Sequence, residues 1–144
     1  IEERWGLYID KDNLFERQKS YKQIGLDLLF SPFSLLSSFF EEQLKEDDGL
    51  YLLLADDFLL CAVFKDNTLL FGTLVSMQDK LSLVDEGKVA DTYIDNIQSA
   101  VKVFYENKAD GTMFIEKIYI ADAVDFDTSL ENRLEEVLFA EVEK

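Results

Sequence analysis

Leu50-Tyr51-Leu52-Leu53-Leu54-Ala55-Asp56-Asp57-Phe58-Leu59-Leu60-Cys61-Ala62-Val63-Phe64-Lys65-Asp66-Asn67-Thr68-Leu69-Leu70-Phe71-Gly72-Thr73-Leu74-Val75 is three apolar runs separated by two short polar breaks. Asp56-Asp57 and Lys65-Asp66-Asn67 are turn-forming residues, and breaks this short fold each run back on the one before it. The spacing predicts strands at Leu50–Ala55, Phe58–Phe64 and Thr68–Val75 in an antiparallel meander. Leu50–Ala55 is almost wholly apolar, as a strand covered on both faces must be, which puts it at the centre of a sheet.

Downstream, Met77–Lys88 carries little pattern and reads as a loop or short helix. Val89–Asn107 is the strongest helix, with Tyr93, Ile94, Ile97, Ala100, Val101 and Phe104 in one stripe. Lys108–Thr112 reads as a loop, Phe114–Ile120 as a strand, and Ser129–Val142 as an amphipathic helix through Leu130, Leu134, Val137 and Leu138. Upstream, Ser31-Pro32 pairs a hydroxyl N-cap with a first-turn proline and starts a helix over Pro32–Lys45. Its apolar face carries Leu35, Leu36, Phe39, Phe40 and Leu44, and Glu46-Asp47-Asp48-Gly49 closes it. Earlier still come a strand at Trp5–Ile9, a helix at Lys11–Ile24 capped by Asp10 or Asp12 and ended by Gly25, and a strand at Leu26–Phe30. A meander followed by helix, strand and helix predicts an α/β (α+β) fold of ribonuclease H-like type, a mixed sheet between helices. The expected division is one domain, residues 1–48 forming a strand-helix-strand-helix joining segment and residues 49–144 the core.

Composition narrows the function. The chain has 144 residues, 48% hydrophobic, with 12 Phe and 6 Tyr but 1 Pro and 6 Gly, so it is long enough for a full core and has no linker-like stretch. It begins with Ile rather than Met, so it reads as an excised piece. A net charge of −16 repels phosphate backbones and anionic headgroups, which argues against nucleic acid and against direct lipid docking. No apolar run is long enough to insert across a membrane. The lone Cys61 excludes an internal disulfide and, within an apolar strand, reads as a core thiol.

There is no histidine, which removes His-based triads, His general bases and most zinc sites. No GxxxxGK[ST] or GxGxxG pattern occurs. Asp56-Asp57 and the Asp122/Asp125 pair read as solvated turn aspartates rather than magnesium ligands. Glu41-Glu42 and Glu46-Asp47-Asp48 read as a solvated helix end. No cofactor, metal or catalytic residue is expected.

Three pieces resemble the actin-like ATPase family of the PilM and GspL type, platform proteins of type IV pilus and type II secretion machines. Tyr21-Lys22-Gln23-Ile24-Gly25-Leu26-Asp27-Leu28-Leu29, followed by Ser31-Pro32-Phe33-Ser34-Leu35-Leu36, is similar to the family's helix ending in Ala-Gly-Leu, then a strand, then a helix opening near proline. Lys65-Asp66-Asn67-Thr68-Leu69-Leu70-Phe71 resembles its Glu-Asp-Gly-Lys-Leu-Leu-Phe hairpin. Ile94-Asp95-Asn96-Ile97-Gln98 through Tyr105, then Ile115-Glu116-Lys117-Ile118-Tyr119-Ile120, is similar to its long helix ending in Tyr and its Ile-x-x-Ile-Tyr-Leu strand. The resemblance implies a cytoplasmic protein, held at the inner membrane through partner subunits.

The departures from that family fall on its nucleotide loops. The family's second phosphate loop is Asp-x-Gly at the first hairpin. Aligned without a gap, its Asp position falls on Leu53 and its Gly position on Ala55; slid by three, it falls on Asp56 and Phe58. The adenosine loop, a Gly-Gly run after the last strand, is here Ala121-Asp122-Ala123-Val124-Asp125. Without glycine the backbone cannot approach a phosphate closely. The resemblance therefore implies a pseudo-ATPase: a non-catalytic assembly domain that binds other protein subunits. Trp5, Phe39, Phe40 and Phe58 are the candidate partner-binding residues. Two alternatives stay open: an acidic type III secretion chaperone, and one half of an active actin-like ATPase.

Overall fold

The computed structural model describes residues 31–107 and 113–144, together with Asp10, Lys11, Asp12, Glu16 and Lys19. Trp5, the strands expected at Trp5–Ile9 and Leu26–Phe30, the loop Lys108–Thr112 and most of the helix expected at Lys11–Ile24 lie outside the described residues. Lys11, Asp12, Glu16 and Lys19 are helical, and the Asp10 carboxylate accepts from the Asp12 N–H at 2.7 Å, so Asp10 supplies a cap.

The three apolar runs form β1 (Gly49–Leu54), β2 (Phe58–Lys65) and β3 (Thr68–Ser76), joined as an antiparallel meander. The β1–β2 turn closes with the Ala55 N–H on the Phe58 carbonyl at 3.0 Å. The β2–β3 turn has Asp66 and Asn67 both left-handed, at φ 50° and 58°, the backbone that a tight hairpin requires. β4 (Lys117–Asp122) and β5 (Glu141–Glu143) complete a five-stranded sheet of order β3-β2-β1-β4-β5. β1 pairs parallel with β4, and β4 parallel with β5, so the sheet is mixed and β1 is its central strand.

Period-two alternation along β1 separates two cores. Leu50, Leu52 and Leu54 face α4 (Val89–Asn107) and α5 (Thr128–Leu138), meeting Tyr93, Ile97, Phe104, Leu130 and Leu134. Tyr51 and Leu53 point the other way, to α1 (Pro32–Phe39) and α2 (Glu41–Glu46), meeting Leu36, Phe40 and Leu44. Residues 32–46, expected in the joining segment, therefore cover the second face of the sheet. Ser31 caps α1, its Oγ accepting from the Phe33 N–H at 3.1 Å and the Ser34 N–H at 3.3 Å.

Three boundaries differ from expectation. The helix over Pro32–Lys45 is broken at Phe40, which sits at φ −102° and ψ 26°. Leu36, Phe40 and Leu44 are spaced by four, and an unbroken helix would rotate each about 40° further round its axis. The break brings all three against the sheet. Met77–Lys88, expected as a loop or short helix, agrees: it holds α3 (Gln78–Leu81) and a 3₁₀ turn at Glu86–Lys88. β4 begins at Lys117 instead of Phe114, because pairing with β1 starts at Ile118 opposite Leu50. The last helix ends at Leu138 rather than Val142: Phe139 turns left-handed at φ 53°, and Val142 then pairs with Ile118 as part of β5.

Candidate functional site at the carboxyl ends of the central strands

β1 and β4 run side by side in parallel and end together, with Leu53 opposite Ala121 and Leu54 opposite Asp122. The sheet reverses its winding between these strands, and the crevice outside such carboxyl ends is where open α/β folds bind ligands. Two loops meet here. One is the β1–β2 turn, Ala55-Asp56-Asp57. The other is the segment after β4, tied back by the Ala123 N–H donating to the Leu54 carbonyl at 2.8 Å.

Asp122 organises the second loop. Its Oδ1 accepts from the N–H groups of Val124 and Asp125, each at 2.9 Å, and its Oδ2 from the Phe126 N–H at 2.8 Å. The side chain is 1% exposed, and Lys144 Nζ stands 3.4 Å from Oδ2. Three backbone donors thus converge on one anion, as they would in an anion-binding nest, but the anion belongs to the chain. Lys144 also reaches Glu131 at 3.3 Å, locking the loop to α5 and the end of β5.

On the first loop, Asp56 and Asp57 are exposed, while Tyr93 is fully buried and donates its hydroxyl to the Ala55 carbonyl. Burial raises the Tyr93 pKa, and the nearby charges of Asp56, Asp57 and Asp122 raise it further. Asp56, Asp57 and Asp122 thus lie close to one hydroxyl at this end of the sheet, Asp122 being paired with Lys144.

Beside the loops, on the α1 face, lies a groove of about 380 Å³. Leu35, Leu36 and Phe39 of α1 form one wall, Leu53 and Ala121 the floor, and Asp122 and Ala123 one end. Sequence positions chosen for two separate reasons meet here: the substituted loop positions Leu53, Ala121 and Ala123, and the aromatic Phe39. Leu53 is partly buried in β1 rather than in a loop, and Ala55 and Asp56 form the turn itself. Leu35 and Phe39 are 57% and 69% exposed.

The other aromatic candidates separate. Phe40 is 4% exposed and packs edge-on to Tyr51 at 5.2 Å between centroids, so it is core and unavailable to a partner. Phe58 is half-buried at the start of β2. Reading the sequence missed Phe139, 92% exposed beside a second groove of about 490 Å³ between α4 and α5, because a helix continued to Val142 would have hidden the chain reversal there. Cys61 is buried and its thiol is pushed up to about 12 by burial, which removes it as a nucleophile. Among the described residues no cluster of three His, Cys, Asp or Glu side chains is arranged to hold a metal ion, and no helix is long and apolar enough to cross a membrane.

At the opposite end of the sheet a polar cluster ties α2 to the strands. Asp47 accepts from Lys117 Nζ at 2.9 Å and from the Tyr119 hydroxyl, while the Tyr51 hydroxyl donates to the Asp47 carbonyl at 2.8 Å. Tyr51 and Tyr119 stack with centroids 4.9 Å apart. The hydrogen bonds from Tyr119 and Lys117 lower the Asp47 pKa.

Two family descriptions match parts of the chain: a domain of unknown function (DUF8569) over residues 1–37, and another (DUF8341) over residues 80–144. No curated protein sequence matches. Among solved structures, a Bacteroides thetaiotaomicron protein with an actin-like ATPase fold and unknown function superposes with a TM-score of 0.58 at 12% identity, over 93% of this chain and 46% of that one. The PilM–PilN type IV pilus biogenesis complex superposes with a TM-score of 0.56 at 13% identity, over 92% of this chain and 46% of that one. The chain thus spans about half the length of the structures it matches, and its mixed sheet flanked by helices is that of the actin-like ATPase fold.

Proposed function

We propose that this chain is a non-catalytic assembly domain that binds partner subunits of a membrane-associated pilus or secretion machine, on the cytoplasmic side of an inner membrane. The observation that carries the reading is Asp122, whose carboxylate takes the three N–H groups that a nucleotide-binding loop would offer its ligand. Leu53 and Ala121 line the adjoining space with methyl groups, and Asp56 and Asp57 would repel a polyphosphate. The fold is kept while the loops expected to serve a nucleotide are filled, so the retained value lies in surfaces that hold proteins. The likeness to a PilM–PilN complex supports that direction.

Two measurements test it. Isothermal titration of the full-length protein with Mg-ATP should give no saturable heat. A pull-down from the native membrane fraction should recover pilus or secretion subunits. Recovery of only soluble, unfolded effector segments would favour a secretion chaperone instead. A second reading, one half of a working actin-like ATPase, draws on the fact that the chain spans 46% of each matched structure. Saturable Mg-ATP binding by the full-length protein would establish that reading and end the first.

A further inference from the structure

We infer that the groove at the carboxyl ends of β1 and β4 is a docking site for an amphipathic helix with an apolar stripe and basic flanks. The inference deepens the assembly reading and rests on it for the claim that a protein partner exists.

The geometry excludes strand addition. A peptide joins a sheet only where a strand has an unpaired edge. The floor of this groove is β1 and β4, and both are interior strands, β1 held between β2 and β4, and β4 between β1 and β5. Their backbone groups are already engaged across the sheet, so an occupant can be held here only through side chains. One wall is a helix that presents Leu35 and Phe39 one turn apart, an i, i+4 ridge standing well out of the surface. Such ridges pack into the grooves of a second helix. Leu53 and Ala121 lie beneath, where the apolar side chains of that helix would seat.

Charge supplies the second requirement. Among the described residues, no lysine or arginine lines the groove. Asp56 and Asp57 are exposed on the adjacent turn and Asp125 on the adjacent loop, while among the described residues Lys144 is the basic group paired with Asp122. The rim is acidic on a chain of net charge −16. A second copy of this chain would bring like charge against that rim, whereas a helix with Lys or Arg beside its apolar stripe would be steered to it and held.

The test uses the chain uniformly labelled with ¹⁵N and a synthetic Leu/Lys peptide of about 15 residues, long enough to hold a helix. A control peptide of identical composition has its order permuted to abolish the apolar stripe. The amphipathic peptide should shift the amide resonances of Leu53, Ala121 and Ala123. Its affinity should fall at least tenfold with Phe39→Ser or Leu35→Ser, both exposed positions, and severalfold between low and high NaCl. Phe139→Ser, on the other groove, should leave it unchanged. Equal binding of the permuted peptide, unchanged binding by Phe39→Ser, shifts confined to the Phe139 groove, or self-association abolished by Phe39→Ser would each overturn the inference. A membrane pull-down empty of machine subunits would remove the proposed machine without touching this result.

Discussion

Asp122 holds its loop with three hydrogen bonds and an ion pair, and its worth follows from what its removal strands. Asp122→Ala leaves the N–H groups of Val124, Asp125 and Phe126 without their acceptor. Two of those donors are partly buried, and an unmet buried donor costs about 1–3 kcal/mol. Urea unfolding should therefore show a loss of about 2 kcal/mol. Asp122→Asn keeps one accepting oxygen and should lose less; equal losses would mean the hydrogen bonds are not what holds the loop. Asp47 acts at the other end of the sheet through its charge. Hydrogen bonds from Tyr119 and then Lys117 lower its pKa. A carboxyl whose folded value lies below its unfolded value, about 3.9, stabilises the fold above that value and loses the contribution as pH falls through the folded one. The gap in urea midpoint between the native chain and Asp47→Asn should thus be full at pH 7 and close progressively below about pH 4. A gap that stayed constant down to pH 2 would show that Asp47 acts without its charge.

At the scale of elements, two glycines decide how closely neighbouring elements approach. A Cβ at Gly49 would stand 2.5 Å from the Lys117 carbonyl oxygen, a backbone atom of the neighbouring strand β4. A Cβ at Gly72 would stand 2.5 Å from the Phe33 ring of α1, a side chain that can turn aside. Gly49→Ala must push two central strands apart, whereas Gly72→Ala need only shift a ring. Overpacking of this kind costs about 1–3 kcal/mol, and Gly49→Ala should lie at the upper end and Gly72→Ala at the lower; the reverse order in thermal unfolding would refute the argument. The elements also show what a sequence can disclose. The meander and the long helix were legible because local pattern and tertiary demand agree there: Val89–Asn107 is helical over the predicted span, and β1 is central, as its apolar run implied. β5 was not legible. Three residues carry too little alternation to announce a strand, and Val142 lies four residues beyond Leu138, so it also continues a helical stripe. The stop at Phe139 uses a left-handed backbone with neither glycine nor asparagine to signal it. For the site, the substituted loop positions and Phe39 were each visible as residues. Their meeting in one groove was not, because it depends on α1 lying across the sheet end, which no local pattern encodes. The role of Asp122 was hidden for a similar reason: as a turn aspartate it looks solvated, and only the path of the loop turns its donors inward.

For the whole molecule, charge sets the response to salt. The chain carries 30 acidic and 14 basic side chains, a net −16, so folding concentrates negative charge that the unfolded chain keeps further apart. Opposing this are ion pairs such as Lys45–Glu41 at 3.2 Å and Lys102–Glu106 at 3.8 Å, all four side chains more than half exposed. Exposed pairs of this kind contribute about 0–1 kcal/mol each and are themselves screened. The repulsion acts among many charges over longer distances, which salt removes first, since the screening length falls from about 30 Å at 0.01 M to about 8 Å at 0.15 M. Repulsion therefore outweighs the pairs, and NaCl should stabilise the fold. A gain of about 1 kcal/mol would raise Tm by about 2–5 °C at this chain length. The rise should be nearly complete by about 0.2 M, where screening has done most of its work. A rise that continued in proportion to concentration would instead be the exclusion effect by which sulfate strengthens apolar burial in any protein. Melting curves in NaCl at several concentrations separate the two, and a Tm that fell on adding NaCl would show that the local ion pairs, not the net charge, govern this fold.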